Sequence, residues 1–206
     1  MPRLFRSMIG SFCVAAACAA LVAQTPPAGG EKKAEAAQAP AGSSTWFPAK
    51  KGTKWVYKNG ENKIEMAMGD ANALETMVGG KKVAAETVEV KADGIYRTKV
   101  NGVAIDPPVK IMHLPVSDKD VSWDVASKLN AQEIKGKFTQ KGAREKLKLG
   151  TVEYDTVVVD GPEFMIANAK CAIKQWFADG KYVVKMVYSI AGNESMIELA
   201  EFVEAK

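Results

Sequence analysis

The sequence predicts an all-β fold: a single curved or rolled antiparallel sheet, open and barrel-like, of roughly ten strands joined mostly by hairpins. Three observations predict it. Apolar and polar residues alternate with a period of two along most of the second half and much of the first, the pattern of strands with one buried face. Tight-turn dipeptides interrupt that alternation at short intervals. Nowhere do the gaps between strands leave room for the helical crossovers a parallel sheet needs.

The elements follow in order. Trp55 and Tyr57 alternate with Lys54, Val56 and Lys58, and after a turn at Asn59-Gly60 the residues Ile64, Met66 and Met68 alternate with Lys63, Glu65 and Ala67. Asn-Gly suits a two-residue hairpin because both turn positions need positive φ. Asn72–Val78 reads as a strand through Leu74, Thr76 and Val78, and turns follow at Gly79-Gly80, Asp93-Gly94 and Asn101-Gly102. Pro107-Pro108 and Pro115 bracket Val109–Leu114, a bounded short strand, since proline cannot donate to a ladder. Beyond the turn at Asp179-Gly180, Tyr182, Val184, Met186, Tyr188 and Ile190 line one face of a long strand. A turn at Gly192-Asn193 leads to a closing strand in Glu194–Glu204 through Ile197, Leu199 and Val203.

Ahead of this domain the chain reads differently. Arg3 and Arg6 precede the uncharged run Met8–Ala23, which ends in small residues: the layout of a secretory signal peptide over residues 1–23. The expected cut follows Ala23 or lies near Ala17-Cys18-Ala19, and the run falls short of the roughly 20 residues of a spanning helix. No stable membrane span is expected after cleavage. A lipid anchor at Cys18 is less favoured, because the preceding alanines fit a lipobox poorly and the following residues stay apolar. Residues 24–45, rich in Ala, Pro, Gly and Lys, have too little to bury and read as a disordered linker. The domain then runs over residues 46–206, a comfortable length for one core. The expected location is therefore periplasmic or extracellular.

Charge excludes one class of partner. The formal +4 falls to +2 once Arg3 and Arg6 leave with the signal, and the remaining Lys and Glu are interspersed. Nucleic-acid binding would want a clustered basic face. The one dense basic run, Lys137 to Lys148, places Lys146 and Lys148 opposite Leu147 and Leu149, as on a solvated sheet face.

Candidate chemistry is sparse. His113 is the only histidine, so one chain offers no multi-histidine metal site. Cys171 alone survives signal removal; it shares a strand face with Ile173 and Phe177 and reads as a buried small hydrophobe. An enzyme would need convergent polar groups near His113 or Cys171, and no base–nucleophile pair is visible. Asp118 to Asp124 imitates the opening of a calcium loop, but Trp123 stands where the turn needs glycine and Leu129 where a glutamate belongs. The acid pairs Glu86/Glu89 and Asp160/Glu163 look like ordinary surface residues. No catalytic residue, metal or cofactor is expected. The strand aromatics are either core packing or the wall of an apolar cavity, since rolled sheets can enclose ligands. Trp55, Tyr57, Trp176, Tyr182 and Met186 are the candidate wall.

One resemblance runs through nearly the whole domain. Phe47-Pro48 with Gly52, Trp55 and Tyr57 forms a Pro-(x)n-Gly-x-x-Trp-x-Tyr opening. Asp93-Gly94-Ile95-Tyr96-Arg97, Pro107-Pro108, Leu114-Pro115-Val116, Ser122-Trp123, Ile134-Lys135-Gly136, Tyr154-Asp155-Thr156-Val157-Val158-Val159 and Trp176-Phe177-Ala178 follow in order. Together they resemble an uncharacterised family of exported bacterial β-rich proteins, departing at Asp120, where that family has a turn glycine. More distantly the pattern is similar to the curled sheets of lipoprotein-carrier-like periplasmic proteins, a fold-level analogy. The expected role is a non-catalytic binding or envelope-associated one, with an envelope protein or a hydrophobic small molecule as partner. The alternative within it is a carrier of a lipid or other hydrophobic ligand in a cavity of the curved sheet.

Overall fold

The computed structural model describes residues 45–206. The expected signal and all but the last residue of the expected linker fall on residues 1–44, outside the described residues. Thirteen strands follow: β1 Lys54–Asn59, β2 Asn62–Met68, β3 Ala73–Val78, β4 Lys81–Lys91, β5 Gly94–Val100, β6 Val103–His113, β7 Val121–Leu129, β8 Gln132–Gln140, β9 Glu145–Leu149, β10 Val152–Ile166, β11 Ala169–Ala178, β12 Tyr182–Ile190 and β13 Asn193–Val203. The only helical element described is one 3-10 turn at Asp70–Asn72. All pairings are antiparallel, β13 returns to pair with β1, and β10 pairs with β11. The sheet therefore closes into a barrel of twelve strands with β9 as an extra one.

Closure turns on β10. Its first part, Val152–Thr156, pairs with β9, and its later residues pair with β8, while β11 runs along its other side. A register shift between Gly161 and Phe164 bends the strand at the crossing. Gly136 and Gly161 make the room there: a Cβ at Gly136 would lie 2.6 Å from the Phe164 ring, and one at Gly161 would lie 2.5 Å from Phe164 and 2.8 Å from Phe138. Those two rings pack with centroids 4.5 Å apart.

Register follows the hydrophobic pattern more than the turn dipeptides. In the first hairpin Asn59 pairs with Asn62, so the turn is Gly60-Glu61, with Gly60 at φ +57°, instead of Asn59-Gly60. That register sets Ile64 opposite Tyr57 and Met66 opposite Trp55. The shifted one would put Asn62 against Tyr57 inside the barrel. Likewise the last turn is Ala191-Gly192. Hairpins at Asn130, Gly150 and Ala167-Asn168 have no strong glycine dipeptide, and no turn is expected from the sequence at any of the three.

The prolines bound less than expected. β6 continues through Pro107-Pro108 from Val103 to His113, with its ladder to β5 shifted twice. Towards β7 the cost is visible: only Ile105 with Leu129 and Asp106 with Lys128 pair. Beyond them the seam is held by side chains. The Trp123 indole N–H donates to the Lys110 carbonyl at 2.9 Å, and the Gln140 amide accepts from the His113 N–H at 2.9 Å and donates to its carbonyl at 3.3 Å.

Apolar residues mostly point inward and most charged ones outward, with Lys63 and Glu65 exposed on β2, Lys82 on β4, Lys128 on β7, Lys135 on β8 and Lys170 on β11. That is the reverse of a membrane barrel, whose outer band is apolar. Among the described residues no helix is long and apolar enough to cross a membrane.

Candidate functional site

One end of the barrel is stoppered by aromatics. The Thr45 carbonyl accepts from the Gly180 N–H at 2.7 Å, which draws the entering chain across the β11–β12 turn. Phe47 then packs edge-on against Tyr182 at 4.9 Å, and Tyr182 meets Phe177 at 5.6 Å and Trp55 at 6.4 Å. The Trp55 indole N–H donates to the Lys181 carbonyl and the Tyr57 hydroxyl to the Val183 carbonyl, both at 2.7 Å. Two large aromatics can be this deeply buried because each polar atom finds a backbone acceptor. Tyr182 holds φ +65°, a strained value for a bulky residue, where it packs against Phe47, Phe177 and Trp55. Burial pushes its phenol well above the usual range.

Above this stopper lies a polar waist. Glu86 sits on β4 in the same alternation as Ala84, Val88 and Val90, and Arg97 on β5 in that of Ile95, so both project into the core. The Arg97 Nε lies 2.7 Å from the Glu86 carboxylate, with the Glu side chain 4% exposed and the Arg side chain 21%. The expectation of an ordinary surface acid is thus corrected for Glu86: it holds a core position, and only Glu89 takes the opposite face. Gln175 of β11 is buried beside the pair, its amide N–H donating to the Met186 sulfur at 3.6 Å, a weak acceptor. The Thr76 hydroxyl of β3 is buried with no hydrogen-bond partner among the described residues.

Two cavities of about 40 Å³ each flank this waist. The first is bordered by Tyr57, Thr76, Glu86, Tyr182 and Ile197, among others. The second is walled mainly by apolar residues such as Ile105, Leu129, Ile134, Phe138 and Phe164. Arg97, Gln175 and Met186 border both, so these three side chains stand between the two cavities.

Of the five aromatic and methionine residues expected as a cavity wall, Tyr57, Tyr182 and Met186 border the first cavity. Trp55 is fully buried in the stopper and borders neither. Trp176 lies between the inward Gln175 and Phe177 and turns to the other face of β11, where the ammonium groups of Lys174 and Lys185 stand over its ring at 4.9 and 5.6 Å. Sequence reasoning missed Glu86, Arg97, Gln175 and Thr76. The available signal was parity for three of them: Thr76, Glu86 and Gln175 are polar at positions whose i±2 neighbours are apolar, whereas Arg97, between Ile95 and Lys99, gives no such signal.

The other candidate groups have structural partners. Cys171 is buried, its thiol donates to the Ala169 carbonyl at 3.5 Å, and burial pushes it above the usual thiol range. His113 is clamped through its backbone by Gln140. Asp120, from the calcium-like stretch, accepts from the Lys141 ammonium at 2.8 Å and the Gly142 N–H at 3.0 Å, bonds that hold its carboxyl below the usual range. Among the described residues no three His, Cys, Asp or Glu gather as a metal site. Lys146 and Lys148 are exposed on β9, with Lys146 3.8 Å from Glu153 and 4.0 Å from Asp155. Comparison with protein families, curated proteins and solved structures finds no match to this chain.

Proposed function

We propose that this is a non-catalytic binding protein whose barrel interior takes a small hydrophobic or amphipathic molecule. One observation carries the reading: two interior cavities, each lined mostly by apolar side chains, share a border of Arg97, Gln175 and the flexible Met186. Ligand sites characteristically combine apolar walls with a few placed polar groups. The volume at rest, about 40 Å³ on each side, restricts the occupant to a slim molecule that displaces Met186. From the sequence come the location and the company: an exported, envelope-associated protein of the kind its motifs resemble.

Native mass spectrometry of the protein purified from the cells that make it, followed by organic extraction, tests the reading. A co-purifying apolar molecule in a defined ratio is the expected result. A bare protein mass, unchanged on incubation with apolar extracts of the same cells, would overturn it and leave packing as the sole role of the interior.

A further inference from the structure

Resting on that reading, we infer that the lumen selects an uncharged amphiphile, one with a short alkyl stem and a hydroxyl or primary amide head. The stem lies in the second cavity, and the head lies at the waist beside Thr76 and Gln175. Charge balance excludes an ionic head. Arg97 and Glu86 already neutralise each other at 2.7 Å, so a carboxylate or an ammonium brought between the cavities would stand unpaired in an apolar interior. A neutral head adds no such charge.

Two poorly satisfied polar groups mark where that head would bind. The Thr76 hydroxyl is 2% exposed as a residue and has no partner, although buried hydroxyls are normally bonded. The Gln175 amide N–H is turned to a thioether sulfur, which a hydroxyl or carbonyl oxygen would replace to advantage. Both residues border the first cavity, and Gln175 borders the second as well. A water needs roughly 10–15 Å³ of such space, so each cavity holds only a few non-hydrogen atoms. Six-carbon molecules are therefore the right probes.

The full chain, isotope-labelled at Ile and Met methyls, is titrated with hexan-1-ol, hexanamide and hexanoate at neutral pH and followed by methyl NMR. The expected result is saturable shifts at Ile134, Ile173 and Met186 with the alcohol and the amide, and affinity for hexanoate at least tenfold weaker. Thr76→Val should weaken hexan-1-ol binding about tenfold and Thr76→Ser should restore it, the effect of one hydrogen bond. Hexanoate binding as tightly as the alcohol would overturn the uncharged-head assignment while leaving the lumen as a binding site. Shifts with none of the three would overturn the lumen reading itself. Equal affinities for wild type and Thr76→Val would overturn the placement of the head.

Discussion

Arg97→Met and Glu86→Leu, made singly and together, test whether the waist is an ion pair in a dry interior. At an N···O distance of 2.7 Å the gross attraction is roughly 6 kcal/mol for an effective dielectric near 20. Desolvation offsets much of it. Removing one partner is a different matter, because the other is left buried and uncompensated at a cost of about 3–5 kcal/mol. The exposures rank the two. Glu86 is 4% exposed and Arg97 21%, so Arg97→Met strands the drier charge and should cost about 4–5 kcal/mol, and Glu86→Leu about 3. The double variant replaces both with apolar groups of similar size and should return to within about 1 kcal/mol of wild type. Urea unfolding at neutral pH, followed by tryptophan fluorescence, reads all four proteins. For a domain of this size the larger single effect also lowers Tm by roughly 8–20 °C. If Arg97→Met costs less than about 1 kcal/mol, or the double variant is as unstable as the worse single one, the waist is hydrated and the argument built on a dry pair fails.

Gly136→Ala and Gly161→Ala should each destabilise by about 1–3 kcal/mol through overpacking against Phe164; adding Phe164→Leu should recover most of the loss, and no recovery in a denaturation series would mean the strain lies in the backbone. Burial raises the Tyr182 phenol above its usual value, so its contribution is full below about pH 10, where the unfolded phenol titrates, and falls as pH rises further. Stability measured from pH 9 to 11 should drop at up to about 1.4 kcal/mol per pH unit from this group, and Tyr182→Phe should remove that share of the slope. Cys171 should resist a thiol reagent in native buffer and label fully in denaturant; fast native labelling would show the thiol to be accessible and reopen a nucleophilic role.

Alternation made most strands legible. The inward faces of β1 and β2, with Trp55, Tyr57 and Ile64, could be read because Lys54, Lys58, Lys63 and Glu65 between them are exposed, but their register could not. In β12 a shift beside Val183 and Val184, both buried, leaves no fully wet face. Turn positions were less legible where packing overrode turn chemistry, as at Gly60-Glu61, or where Asn130 and Asn168 turned without a glycine beside them. Closure was not legible, since it joins β10 to β11 through a bend that depends on Gly136, Gly161 and two phenylalanines on different strands. The waist was half-legible. Glu86 breaks an apolar alternation but Arg97, followed by Lys99, does not, and only the β4–β5 register shift at Thr87/Val88, which sets Val88 opposite Arg97, shows that the two share a face. Trp176 could have been oriented from parity alone, because Cys171, Ile173 and Phe177 occupy the opposite face.

On the proposed binding function, the sparse ladder between β6 and β7 would serve the barrel as a side door. Closed barrels usually exchange contents through their ends, but here one end is stoppered by Phe47, Tyr182 and Trp55. At the seam, two residue pairs join β6 to β7, together with the hydrogen bond of Trp123 and those of Gln140 from the end of β8. Directly behind it stand Val109, Ile111 and Phe138, which border the second cavity. Traffic into the lumen, on that function, would be timed by local opening at these side chains, faster than unfolding of any strand. Trp123→Phe keeps the ring and loses the N–H, so it should hasten both hydrogen exchange in the upper half of β6 and ligand release, with exchange in β12 unchanged.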